Sequence, residues 1–178
     1  MTAAASTKPT AQRDVTITRT IAAPRARVFA AWIEPEHMAQ WWGPNGFDNP
    51  VCELDARPGG AIRIHMRAPD GVVHPMTGTF REIVAPERLV FVAFAEDADG
   101  NPLLEALTTV TLTEQNGTTK LTVQASAVGL APVAPQMLAG METGWTQSLE
   151  RLAALLASAA DLKFLISSRQ SRGGTSNP

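Results

Sequence analysis

Between Val51 and Ala125 apolar and polar residues alternate in short runs, and beyond Ala131 the apolar spacing switches to three and four residues. Alternation marks half-buried strands, whereas the longer spacing marks one face of a helix. The runs are "VCELD", "AIRIHMR", "HPMTGTFREIV", "RLVFVAF", "LLEALTTVTL" and "TKLTVQA". They are separated by Arg57-Pro58-Gly59-Gly60, Pro69-Asp70-Gly71, Ala85-Pro86-Glu87, Asp99-Gly100-Asn101-Pro102 and Asn116-Gly117. Connections this short join antiparallel neighbours, and Asn-Gly is a strong hairpin signal. After these strands Val133, Met137, Met141, Trp145, Leu149, Leu152 and Leu156 form one apolar stripe. That stripe predicts a single helix of roughly 27 residues, about 40 Å long.

Upstream, "DVTITRTI" alternates Val15, Ile17 and Ile21 with threonines, which predicts a further strand. Arg19 falls on the apolar side of that strand and requires a bulge or an edge. "APRARVFAAWI" opens with Pro24 and carries Val28, Phe29, Trp32 and Ile33 on one helical face, and a second short helix starts near Pro35. A sheet with one apolar face must cover it, and only the last helix is long enough to do so. The predicted fold is therefore α+β. A curved seven-stranded antiparallel sheet wraps a long C-terminal helix, with two short helices between strands 1 and 2. Space left between sheet and helix becomes a cavity.

The ends, 1–13 and 166–178, are small and polar and are expected to be disordered tails around one domain spanning 14–165. Net charge is −2 and the isoelectric point about 5.9, so no basic field exists to hold nucleic acid or an anionic membrane. No apolar run approaches the ~20 residues of a membrane helix. The single cysteine, Cys52, fits a reducing compartment, and a cytoplasmic location is expected.

Chemistry is sparse. His37, His65 and His74 are the only histidines, none spaced with a second ligand, so neither metal nor other cofactor is expected. There is no Gly-x-Ser-x-Gly elbow, P-loop or dinucleotide fingerprint. Glu53, Asp55, Arg63 and His65 fall on adjacent strands and could serve acid–base chemistry. Strict alternation, however, puts Ile62, Ile64 and Met66 on the apolar side and turns Arg63, His65 and Arg67 outward. No catalytic residue is assigned, and the residues favour binding over catalysis.

The stretches "ITRTIAAPRARVFAAWIEPEHMAQWWGP", "VCELDARPGGAIRIHMRAPDG", "GTFREIVAPERLVF" and "METGWTQSLERLAALL" resemble the START-like, birch-pollen-allergen-like helix-grip superfamily. Within it they are most similar to the branch homologous to the activator of the heat-shock-90 chaperone ATPase, over about residues 15–157. The resemblance implies a seven-stranded sheet gripping a C-terminal helix around an internal pocket, and no shared catalytic motif.

The predicted lining comprises Trp42, Ile62, Ile64, Met66, Met76, Phe91, Met137, Met141 and Trp145. Adjacent residues on a helix diverge by about 100°, so Trp41 and Trp42 cannot both face the core, and Trp42 is the one next to the loop. The predicted function is binding of a small apolar molecule in this cavity. The alternatives are a cyclase- or hydratase-type enzyme, which some helix-grip relatives are, and a chaperone-linked interaction domain, implied by the branch name alone. A homodimer is also expected, because the sheet has edges to protect and Gly140 and Gly144 would let helices approach closely.

Overall fold

The computed structural model describes residues 11–170, with side chains as far as Ala157; the remaining parts of the two expected tails lie outside the described residues. The elements are β1 (Gln12–Ile21), α1 (Arg25–Ile33), α2 (Pro35–Trp41), β2 (Asp48–Leu54), β3 (Ala61–Arg67), β4 (Val73–Val84), β5 (Arg88–Glu96), β6 (Pro102–Gln115), β7 (Thr118–Gly129), α3 (Ala134–Ala139) and α4 (Met141–Gln170). The seven strands form one antiparallel sheet in the order β1-β7-β6-β5-β4-β3-β2. Consecutive strands from β2 to β7 are neighbours, as short hairpins require, and β1 closes the far edge against β7. Asn116 and Gly117 both take positive φ, 53° and 75°, the paired conformation that matches the twist of a two-residue hairpin. Register shifts after Asp48, Phe80 and Ala95 mark bulges, which bend a sheet.

Alternation decides the inner face. Ile17 and Ile21, Ile62 and Ile64, Leu89 and Phe91, Val110 and Leu112, and Leu121 and Val123 share one core with Val28, Phe29 and Trp32 of α1 and Leu149, Leu152 and Leu156 of α4. Arg19 sits on this face near the end of an edge strand, half-buried, its Nη1 donating to Thr18 O at 2.9 Å. Among the described residues no helix is long and apolar enough to cross a membrane.

Two boundaries differ from the expectation. The strand begins at Gln12, ahead of Asp14, because Gln12 pairs with Val128 and Arg13 reaches across to α3. Arg13 Nη1 donates to Leu138 O and Ala139 O at 2.8 and 3.0 Å, capping the α3 C-terminus, and Nη2 meets Glu142. The backbone of α4 stays helical to Gln170, past Leu165. The expected single covering helix is also two. Gly140, at φ −86° and ψ −4°, separates α3 from α4.

Candidate functional site

The apolar stripe is used in two ways. Leu149, Leu152 and Leu156 are packed into the core, whereas Met137 of α3 and Met141 and Trp145 of α4 overhang a cleft. The cleft holds about 240 Å³ and opens to solvent. Its walls are Met66 of β3, Met76 of β4 and Trp42 at the end of α2. Gly43 and Pro44 of the following loop complete them.

The floor explains why the space is empty. Cross-strand pairing aligns Leu89, Val110, Val123 and Ile17 in one inner row, and Phe80, Phe91, Thr108, Ala125 and Val15 in the next. The third row is Gly78, Ala93, Ala106 and Ala127. Four strands in succession therefore offer nothing larger than a methyl group, and Ala93 and Ala106 line the cleft beside Phe91, Ala95, Leu104 and Thr108. Side chains of one row cannot fill another's space at ordinary strand spacing, so a hollow remains.

Of the nine residues expected to line a cavity, the structure brings together Trp42, Met66, Met76, Phe91, Met137, Met141 and Trp145. Ile62 and Ile64 stand elsewhere, buried with Trp32 and Met38 and beside the partly buried Leu54, around a separate void of about 10 Å³. Trp42, Met76 and Phe91 border both spaces and divide them. Alternation indicates which face a residue takes, not how far along the sheet it lies. Sequence reasoning missed Gly43, Pro44, Ala93, Ala95, Leu104, Ala106, Thr108, Gly144 and Ser148. The run of small residues on the inward parity of β5 and β6 was the available signal.

Both adjacent tryptophans are buried in the core, against the expectation that only one could be, with ring centroids 5.6 Å apart. Trp41 is fully buried and donates Nε1–H to Ala31 O at 2.9 Å, while Trp42 lies against the cleft. All four tryptophans form one cluster. Trp42 and Trp145 have centroids 5.4 Å apart, Trp32 and Trp145 stack at 6.2 Å, and Trp32 and Trp41 meet edge-on at 4.6 Å.

Arg151, which sequence reasoning also missed, holds the loop that forms the rim. Its Nη1 points at Trp42 O, Gly43 O and Pro44 O (3.2, 2.9 and 3.1 Å), and Nη2 donates to Gln40 O and Phe47 O (3.1 and 3.0 Å). Burial lowers the guanidinium pKa from its ordinary value, and the cation offsets this by facing the C-terminal carbonyls of α2. Gln147 Oε1 adds a contact by accepting from Asn45 N at 3.0 Å, and Pro44 lies near Gly144. Gly144 lies beside this loop, and Gly140 at the helix junction.

None of the cleft residues is ionisable. Glu53, Arg63, Asp48 and Arg67 lie on the outer face as exposed pairs, Arg63 Nη1 to Glu53 Oε2 at 3.2 Å and Arg67 Nη2 to Asp48 Oδ2 at 2.5 Å. Arg67 holds the Asp48 carboxyl below its usual range. Asp55 pairs with Arg57 instead of joining them. Cys52 is half-buried against the core, and burial pushes its thiol up to about 11, away from nucleophilic thiolate chemistry. Among the described residues no group of three His, Cys, Asp or Glu side chains could hold a metal ion.

The model of the Activator of Hsp90 ATPase homolog 1-like protein family matches residues 22–157. A crystal structure of a protein from Chromobacterium violaceum is similar at 32% identity, covering 80% of this chain and 96% of that one, with a TM-score of 0.68. A solution structure from Arthrobacter aurescens has 27% identity over 82% of this chain and 86% of its own, with a TM-score of 0.72. The AHSA1 protein of Silicibacter pomeroyi has 25% identity over 83% and 99%, with a TM-score of 0.69. No curated protein matches the chain.

Proposed function

The chain belongs to the Activator of Hsp90 ATPase homolog 1-like family, and from that premise we propose that it binds a small apolar molecule in the cleft between the sheet and helices α3 and α4. The observation that carries this reading is the lining itself. It combines methionine, aromatic and alanine side chains with no ionisable group. Methionines on three sides adapt to ligands of different outline, and the alanine row keeps the floor open. The same lining weighs against a cyclase or hydratase, since general acid–base catalysis needs a titratable group within reach of the substrate. The outward arginines are no stronger support for a protein partner, because Arg63 and Arg67 already pair with carboxylates. Cys52 suits a reducing compartment, and a cytoplasmic location is part of the proposal.

The expected affinity is modest. Covering about 200–300 Å² of apolar ligand surface contributes ~5–7 kcal/mol at ~25 cal/mol/Å². Association costs leave micromolar binding at best. Propylbenzene is a suitable probe, because Trp42 and Trp145 line the cleft and their emission should change on titration. Met141→Trp should fill the space, abolish the response and leave the thermal midpoint near that of wild type. If wild type shows no response and Met141→Trp costs several kcal/mol, the region is a packed core and the proposal fails.

A further inference from the structure

Three polar side chains are buried in the described part of this protein: Thr108, Thr119 and Ser148. Two of them are satisfied internally. Thr119 Oγ1 donates to Ala23 O at 2.7 Å, and Ser148 Oγ donates to Gly144 O at 2.9 Å. Thr108 is only 1% exposed, yet its hydroxyl makes no hydrogen bond to any described residue. Its backbone is committed to the ladders with Phe91 and Ala125, and its neighbours along the floor are apolar. Among the described residues, the fully enclosed side-chain polar atoms without partners are Trp32 Nε1 and Asn49 Oδ1, whose residues do not line the cleft; Thr108 Oγ1 is not one of them. Thr108 does line it. A ligand that covers this hydroxyl without offering it a partner loses a hydrogen bond, which is costly.

Resting on the binding reading above, we infer that the ligand of the cleft is an uncharged compound carrying one carbonyl or alcohol oxygen, and that this oxygen accepts a hydrogen bond from Thr108. Three features set the chemistry. A hydroxyl can donate to a ketone or alcohol oxygen and thereby fills its own missing bond. The absence of any cation in the lining leaves a carboxylate or phosphate desolvated and unpaired, which excludes charged head groups from the floor. The remaining walls, Met66, Met76, Phe91 and Met141, are apolar, and the indole N–H groups of Trp42 and Trp145 can only donate. Ser148, whose proton is given to Gly144, can still accept from an alcohol on the helix side.

The test uses three probes that share a phenyl group and a three-carbon chain: propylbenzene, propiophenone and hydrocinnamate. Each is titrated calorimetrically at neutral pH into wild type, Thr108→Val and Thr108→Ser. Valine keeps the shape and removes the hydroxyl, and serine keeps the hydroxyl. The expected result is a loss of about three- to tenfold in propiophenone affinity in Thr108→Val. Propylbenzene affinity should not fall in that variant, Thr108→Ser should keep the ketone preference, and hydrocinnamate should bind wild type about tenfold or more weakly than the ketone. Unchanged propiophenone affinity in Thr108→Val, or hydrocinnamate as tight as the ketone, overturns the inference while leaving the apolar cleft standing. If neither neutral probe binds wild type, the binding reading and the inference fall together.

Discussion

Replacing Arg151 by methionine removes the guanidinium and keeps most of the apolar stem, so it isolates what the charged group does for the rim loop. Five carbonyl oxygens, from Gln40, Trp42, Gly43, Pro44 and Phe47, lie 2.9–3.2 Å from its two terminal nitrogens. Those nitrogens carry four protons between them, so at least one bond is shared. A hydrogen bond from a charged donor is worth ~1.5–3 kcal/mol. Trp42 O keeps a second donor, Asn49 Nδ2 at 2.8 Å, and the half-exposed loop carbonyls recover water when the arginine goes. The net loss should therefore be about 2–4 kcal/mol, not the sum of five bonds. In urea the midpoint should fall with the slope unchanged, because the same surface is exposed on unfolding. Amide exchange of residues 43–47 should accelerate, and bound propylbenzene should leave faster, since Gly43 and Pro44 form part of its wall. Arg151→Lys should recover only part of the loss, as one ammonium cannot span from Gln40 to Phe47. A midpoint within about 0.5 kcal/mol of wild type, with unaltered exchange in the loop, would refute this account. The rim would then be held by Gln147 and by Pro44 beside Gly144.

Two further outcomes are expected. Gly43 has φ of +98°, and an added Cβ would sit 3.3 Å from Met66 Sδ, so Gly43→Ala should cost about 1–2 kcal/mol in chemical denaturation; a neutral result would mean that the loop relaxes away from Met66. Burial raises the Cys52 thiol from 9.0 to about 11, so the folded state favours the protonated form; that stability is whole below pH 9 and is lost as pH rises from 9 towards 11. Cys52→Ala should flatten the fall in urea midpoint across that window, and an identical pH profile in the variant would place the origin elsewhere.

The fold was largely legible because its signals are local. Alternation marked each strand from Val51 to Ala125, and Asn116-Gly117 marked the tightest hairpin. The change to helical spacing marked the cover. What escaped was set by contacts distant in sequence. Arg13 extends β1 because it reaches Leu138 and Ala139, more than a hundred residues away in the chain. The break at Gly140 was visible as a glycine in a helical pattern, but a glycine there is equally compatible with an unbroken helix.

The site was harder to read because a hollow is made by what is missing. Large apolar side chains are the visible part of a lining, and Met66, Met76, Phe91, Met141 and Trp145 carry that signal. Ile62 and Ile64 carry the same signal and lie in the core. The residues that keep the space empty are Ala93 and Ala106, aligned with Gly78 and Ala127 across the sheet. No one strand displays that row; it appears only once the register of four strands is known. The same register makes sense of α4. Its leucines share one core with Leu89, Val110 and Val123, and Met141 and Trp145 border the cleft where the side chains shrink. One helix face thus becomes core at one end and roof at the other. The only unpartnered hydroxyl among the cleft residues stands where these two regimes meet, at Thr108 between the filled row and the alanine row.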